Sequence, residues 1–216
     1  MKTMIVAGGP LSPVFLQERI EAEKPDYLIA ADRGLDALLQ TEYRPDLLLG
    51  DFDSTRFRDP RKLCGPGTEC LVYPAEKDLS DLELALNLAV ERKSTHISIL
   101  GAAGGRMDHF LANLLDLQIP LLAGIPAEIE DEQNRICLRD RSFEMFKENC
   151  FGKYISLLSL HQEMAQVSLR GFKYSGEGIC LRRSGASYGI SNEIVDRKAE
   201  VEFQNAVLVV VESKDG

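Results

Sequence analysis

The sequence contains no tryptophan, only three histidines and only five cysteines. The cysteines (Cys64, Cys70, Cys137, Cys150, Cys180) are odd in number, and no two form a C-x-x-C pair. A disulfide framework or a structural zinc site is therefore not expected, whereas reduced thiols in a cytoplasmic protein are. His96, His109 and His161 are scattered and do not resemble a metal-ligand set. No apolar run approaches the roughly 20 residues that a membrane-spanning helix needs. Met1 to Pro10 has too short an apolar stretch for a signal peptide and reads as a first strand. Basic charge is in deficit too: 25 Lys and Arg stand against 34 Asp and Glu, a net charge of −9. That balance argues against nucleic-acid binding, which needs a basic surface to displace counterions from phosphates. What remains is a chain of 216 residues, 44% apolar and 27% charged, ordinary for a soluble globular protein and long enough for one large domain or two small ones.

The first half alternates strand-like and helix-like segments. Strands are expected at Met4–Ala7, Tyr27–Ala31, Leu47–Leu49, Cys70–Tyr73 and His96–Leu100. Ser12-Pro13 reads as a helix cap with proline in the first turn. Leu35, Leu38 and Leu39 share one helical face. Ser80 caps the clearest helix, in which Leu82, Ala85, Leu86 and Ala89 follow the i, i+3, i+4, i+7 spacing. Leu111, Leu114 and Leu115 mark a further helix. Near-continuous apolar strands, each followed by a helix, indicate a parallel sheet covered on both faces. After about Leu122 the period falls to two, at Tyr154–Leu160, Ala165–Leu169, Val201–Phe203 and Val207–Val211, which is the mark of antiparallel β structure. The boundary is placed at 125/126. The acidic run Glu128–Glu132 reads as a solvated hairpin.

The acidic residues fall where the strands end. Asp32 ends the second strand and Asp51 and Asp53 the third. Asp78 and Asp81 lie between the fourth strand and its helix, and Arg106 and Asp108 follow the fifth. In an open parallel sheet these ends share one edge, where ligands bind. Converging carboxylates repel one another unless a cation sits among them, and a hard divalent ion such as Mg²⁺ suits oxygen donors and bridges to phosphates. In extended chain Asp51 and Asp53 point the same way. The glycine run Gly101–Gly105 lets backbone N–H groups approach an anion, and Arg106 can fork onto phosphate oxygens. Together these features suggest chemistry on a nucleotide di- or triphosphate. Each residue also has a structural alternative: Asp32, Asp78, Ser80 and Asp108 fit helix caps, Asp81 fits the helix dipole, and His109 fits a hydrogen-bonded surface residue.

The segments Ala31-Asp32-Arg33-Gly34, Gly50-Asp51-Phe52-Asp53-Ser54, Lys77-Asp78-Leu79-Ser80-Asp81-Leu82-Glu83 and Gly104-Gly105-Arg106-Met107-Asp108-His109 resemble, in order and spacing, the motifs of the thiamine pyrophosphokinase family. Gly171-Phe172-Lys173-Tyr174 and Gly189-Ile190-Ser191-Asn192-Glu193 are similar to that family's thiamine-binding domain. The resemblance implies a three-layer parallel-sheet (Rossmann-like) α/β domain over 1–125 and an antiparallel β-sandwich over 126–216. It implies attack of the thiamine hydroxyl on the β-phosphorus of Mg-ATP, giving thiamine diphosphate and AMP. It also implies a homodimer with active sites shared between subunits. Asp51, Asp53, Asp78 and Asp81 would be catalytic, with Asp51, Asp53 and Asp78 on Mg²⁺. Asp32, Ser54, Gly104, Gly105, Arg106, Asp108 and His109 would line the nucleotide site, and Tyr188, Ser191 and Asn192 would lie near thiamine. Arg33 stands where many members carry glycine, which makes that point bulkier and more cationic. A metal-dependent phosphohydrolase with an aspartyl nucleophile, or a non-catalytic nucleotide- or thiamine-binding module, is the competing expectation.

Overall fold

The computed structural model describes residues 1–51, 66–74, 76 and 78–216. They form two compact units, Met1–Glu132 and Gln133–Gly216.

In the first unit six parallel strands, β1 (Lys2–Val6), β2 (Tyr27–Ala31), β3 (Leu47–Gly50), β4 (Glu69–Val72), β5 (His96–Leu100) and β6 (Ala127–Glu130), lie in the order β6-β5-β1-β2-β3-β4. The expected strands are all present. Alternate residues of one strand point to opposite faces. Met4, Val6, Leu28, Ala30 and Leu48 pack on α1 (Pro13–Glu23) and α2 (Gly34–Leu38). Their neighbours Ile5, Ile29 and Ile99 are equally inaccessible on the other face, where α3 (Asp81–Glu91) contacts β2 and β3. α4 (Met107–Asp116) and α5 (Gln118–Leu122) pack on α3. Burial on both faces explains why the strands read as unbroken apolar runs. Ser12 and Ser80 cap α1 and α3, their hydroxyls accepting from the Phe15 and Glu83 N–H.

β6 corrects two sequence expectations. Glu128 and Glu130 belong to a strand that pairs in parallel with β5, not to a solvated hairpin. The first unit therefore extends through β6 to Glu132 rather than stopping at 125. Period-2 polarity here reflects partner charges rather than water. Arg19 Nε of α1 lies 2.7 Å from Glu130 Oε2, an ion pair outside the geometry of an aligned hydrogen bond. His96 Nε2 lies 3.0 Å from Glu128 Oε1, and that carboxylate holds the imidazole pKa above its ordinary value.

The second unit is all β. One antiparallel run of strands has the order β12-β9-β14-β7, from β12 (Asn192–Glu193), β9 (Tyr154–Ser159), β14 (Leu208–Ser213) and β7 (Asn134–Arg139). The other has the order β11-β10-β13-β8, from β11 (Gly176–Arg182), β10 (Met164–Arg170), β13 (Lys198–Phe203) and β8 (Phe143–Phe146). Their apolar faces share one core, with Leu157, Val167, Phe172, Val201 and Leu208 at its centre. Among the described residues no helix is long and apolar enough to cross a membrane.

Candidate active site

In the parallel sheet β1 is flanked by β2 on one side and β5 on the other. The chain winds away from β1 in both directions, so the order of strands reverses there, and ligands of open parallel sheets bind at the carboxyl ends beside such a point. The loops after β1 and β5 touch. Gly9 N–H donates to the Gly101 carbonyl at 2.8 Å. A Cβ on Gly9 would lie 2.4 Å from that oxygen, and Gly101 itself has φ +69°, so both positions need glycine. Beyond them Gly104 and Gly105 stand exposed with φ +77° and +66°.

The acidic residues follow the carboxyl ends of the neighbouring strands. Asp32 leaves β2 with φ +46°, its N–H held by the Leu49 carbonyl at 2.8 Å. The position of a Cβ on Gly50 is 3.1 Å from the Asp32 Cα, so the end of β3 lies directly against Asp32. Asp51 follows, half-buried. Asp78 is exposed ahead of the α3 cap, and Asp81 opens the helix, half-buried. Asp53 and Ser54 lie outside the described residues. Among the described residues no three carboxylate, histidine or cysteine groups close on one metal position.

Arg106 and Asp108 sit at the start of α4. Arg106 Nη2 and Nε reach the two Asp108 oxygens at 2.5 and 3.1 Å, both side chains open to solvent. The guanidinium, aided by the His109 backbone N–H at 3.0 Å, holds the Asp108 carboxyl below the usual carboxylate range. Two Arg106 donors thus fork onto the one Asp108 carboxylate. His109 contributes that N–H while its side chain is exposed.

Two contacts of α4 escaped sequence reasoning. Asn113 Nδ2 donates to the Ala102 carbonyl at 2.8 Å. Asp116 meets the Ser80 hydroxyl, the cap of α3. Burial, reinforced by Glu83, pushes the Asp116 carboxyl up to about 6, and Ser80 offsets part of this. A carboxyl whose pKa rises on folding stabilises most while protonated, below its unfolded value near 4. That contribution is lost as pH climbs through about 6. Asp116→Asn is therefore expected to raise Tm at pH 8, with the gain shrinking toward zero near pH 4; melting curves across that range measure it, and a pH-independent effect would exclude the titration.

In the second unit Tyr188 is 83% exposed and Ser191 is exposed with φ +55°, its N–H donating to Ser156 Oγ at 3.1 Å. Asn192 is 7% exposed. Its amide oxygen accepts from the Tyr174 and Glu193 N–H groups at 3.0 and 2.9 Å, and its nitrogen donates to the Tyr174 carbonyl at 3.0 Å. Asn192 thus holds the turn that presents Tyr174, whose ring is exposed rather than core. The Lys173 ammonium lies 5.7 Å from that ring.

The chain matches the family model of the thiamin pyrophosphokinase catalytic domain over residues 19–126 and that of the vitamin B1 binding domain over residues 142–208. It is 32% identical over 216 residues to the thiamine pyrophosphokinase of Bacillus subtilis (strain 168), with 100% of both chains covered. Among solved structures it is similar to the Bacillus subtilis enzyme (TM-score 0.87, 29% identity, 100% of both chains). It is also similar to thiamin pyrophosphokinase from Geobacillus thermodenitrificans (TM-score 0.84, 31% identity, 100% of this chain and 99% of the other). The fold alone is shared with the Candida albicans protein, at TM-score 0.80, 15% identity, and coverage of 98% and 88%. Motif order, the arrangement of strands and full-length similarity agree: this chain belongs to the thiamine pyrophosphokinase family.

Proposed function

We propose that this chain transfers the pyrophosphoryl group of Mg-ATP to the hydroxyl of thiamine. The thiamine oxygen bonds to the β-phosphorus, the bond from that phosphorus to the oxygen bridging to the α-phosphorus breaks, AMP leaves with that oxygen, and the hydroxyl proton is released. The observation that carries this reading is the meeting of the Gly8-Gly9 and Gly101–Gly105 loops at the same carboxyl ends of the sheet that Asp32 and Asp51 follow. Such transfers ask the protein mainly for positioning and charge neutralisation. Gly104, Gly105 and Arg106 would take phosphate oxygens, and Asp32, Asp108 and His109 would border the nucleotide.

The donors at this edge are carboxylate oxygens, which fits a hard cation. Asp51 and Asp78, with Asp53 from outside the described residues, would hold Mg²⁺, and Asp81 would border it. When bound, the ion would neutralise triphosphate charge. Tyr188, Ser191 and the Tyr174 ring held by Asn192 would meet thiamine, whose cationic thiazolium suits an aromatic face. A homodimer with shared sites is part of the proposal. Its support is α4, where Met107, Leu111 and Leu115, spaced i, i+4, i+8, are 63%, 54% and 49% exposed.

The test is product analysis with Mg-ATP, with and without thiamine. AMP formed only with thiamine is expected. ADP would indicate transfer of a single phosphoryl group, and a phosphorylated Asp51 would favour the phosphohydrolase.

A further inference from the structure

We infer that Asn113 is a positioning residue for the nucleotide's phosphates, acting through the glycine loop. The inference rests on the proposal that this loop receives the triphosphate. The root of the loop is fixed by backbone: Ala7 N–H donates to the Leu100 carbonyl at 2.8 Å, and Gly9 N–H to the Gly101 carbonyl at 2.8 Å. Past Gly101 the chain must turn through Gly104 and Gly105, both with positive φ and exposed, before α4 begins. A free glycine turn would sample many conformations, each presenting its N–H groups differently.

Asn113 closes this span. It lies on α4, beyond the Arg106–Asp108 fork, and its side-chain amide reaches back 2.8 Å to the Ala102 carbonyl at the start of the turn. One hydrogen bond thus ties the loop's entry to the helix that forms its exit, making 102–113 a closed ring. Ala102 and Ala103 are buried at 4% and 7%, whereas Gly104 to Asp108 are exposed. The ring has an anchored side and a presented side, and the presented side carries the phosphate-binding groups. Asn113 itself is only partly buried and is absent from the apolar core clusters. Its bond sets the angle between the glycine N–H groups and the Arg106 fork, and preset geometry of this kind determines affinity for a charged ligand.

Asn113→Asp keeps the side-chain shape but sets an acceptor against the Ala102 carbonyl, and Asn113→Ala removes the contact. Steady-state kinetics of both variants, with melting temperatures, test the inference. KM for Mg-ATP is expected to rise about 10-fold or more in Asn113→Asp and less in Asn113→Ala, with KM for thiamine within about twofold and Tm within a few degrees. An unchanged ATP KM in either folded variant, an equal rise in both KM values, or failure of both variants to fold would overturn the inference. Titration with α,β-methylene-ATP separates it from the proposed function. Wild type that binds the analogue but forms no AMP defeats the reaction, while the loss of binding in Asn113→Asp still upholds the role of Asn113. Wild type that binds no nucleotide defeats both.

Discussion

Asp51→Asn is expected to lower kcat by about a thousandfold or more while leaving Tm within a few degrees. The substitution is isosteric and the site is only half-buried, so little packing changes. It removes one full negative charge at the end of β3, beside Asp32. Three decades in rate correspond to about 4 kcal/mol of transition-state stabilisation, a normal yield for a charge that orients an ion and a triphosphate in a crevice. The readout is AMP formation at saturating thiamine and Mg-ATP. The control is Asp26→Asn, at the amino end of the same sheet, where Asp26 Oδ2 accepts from the Lys2 N–H at 2.7 Å. That variant should retain wild-type turnover. Near-normal turnover in Asp51→Asn at saturating Mg²⁺ would remove Asp51 from the chemistry.

The largest expected loss of stability lies far from substrate. Arg19→Met should cost about 3–5 kcal/mol. Glu130 is fully buried, and Arg19 supplies the cation 2.7 Å from it. The same guanidinium holds Glu23 at 2.6 Å, and the other Glu23 oxygen accepts from the Ser98 hydroxyl. Removing it takes this cation from the buried Glu130 and from the half-buried Glu23. Urea unfolding measures the loss. Combining Arg19→Met with Glu130→Met should restore most of it, because an apolar pair in such a site is commonly no worse than the ions. A loss below about 1 kcal/mol in Arg19→Met would mean that Glu130 does not depend on this cation.

The strands of the parallel sheet were legible because burial on both faces leaves an uninterrupted apolar run, as in Leu47-Leu48-Leu49. The caps Ser12 and Ser80 were legible because a hydroxyl before an apolar-periodic segment has a local reason to be there. Glu128 and Glu130 were not: their partners, His96 and Arg19, come from other elements, and acids in a row look alike whether water or arginine faces them. β11 escaped notice because Gly176 and Gly178 resemble turn residues, yet the strand pairs with β10 along its length. At the site, the residue types and their order could be read, since strand ends share an edge. The inward role of the Asn192 amide and the Asn113 tether could not, since both depend on which backbone carbonyl a folded chain brings within reach.

The central place of β1 has a consequence for biosynthesis. β1 is paired on one side with β2 and on the other with β5, Val6 opposite Leu100. A nascent chain must therefore carry β1 with one edge open until β5 has left the ribosome. Pairings so remote in sequence are slow to form. Fragments ending ahead of His96 should be captured by chaperones or precipitate rather than yield an autonomous half-domain.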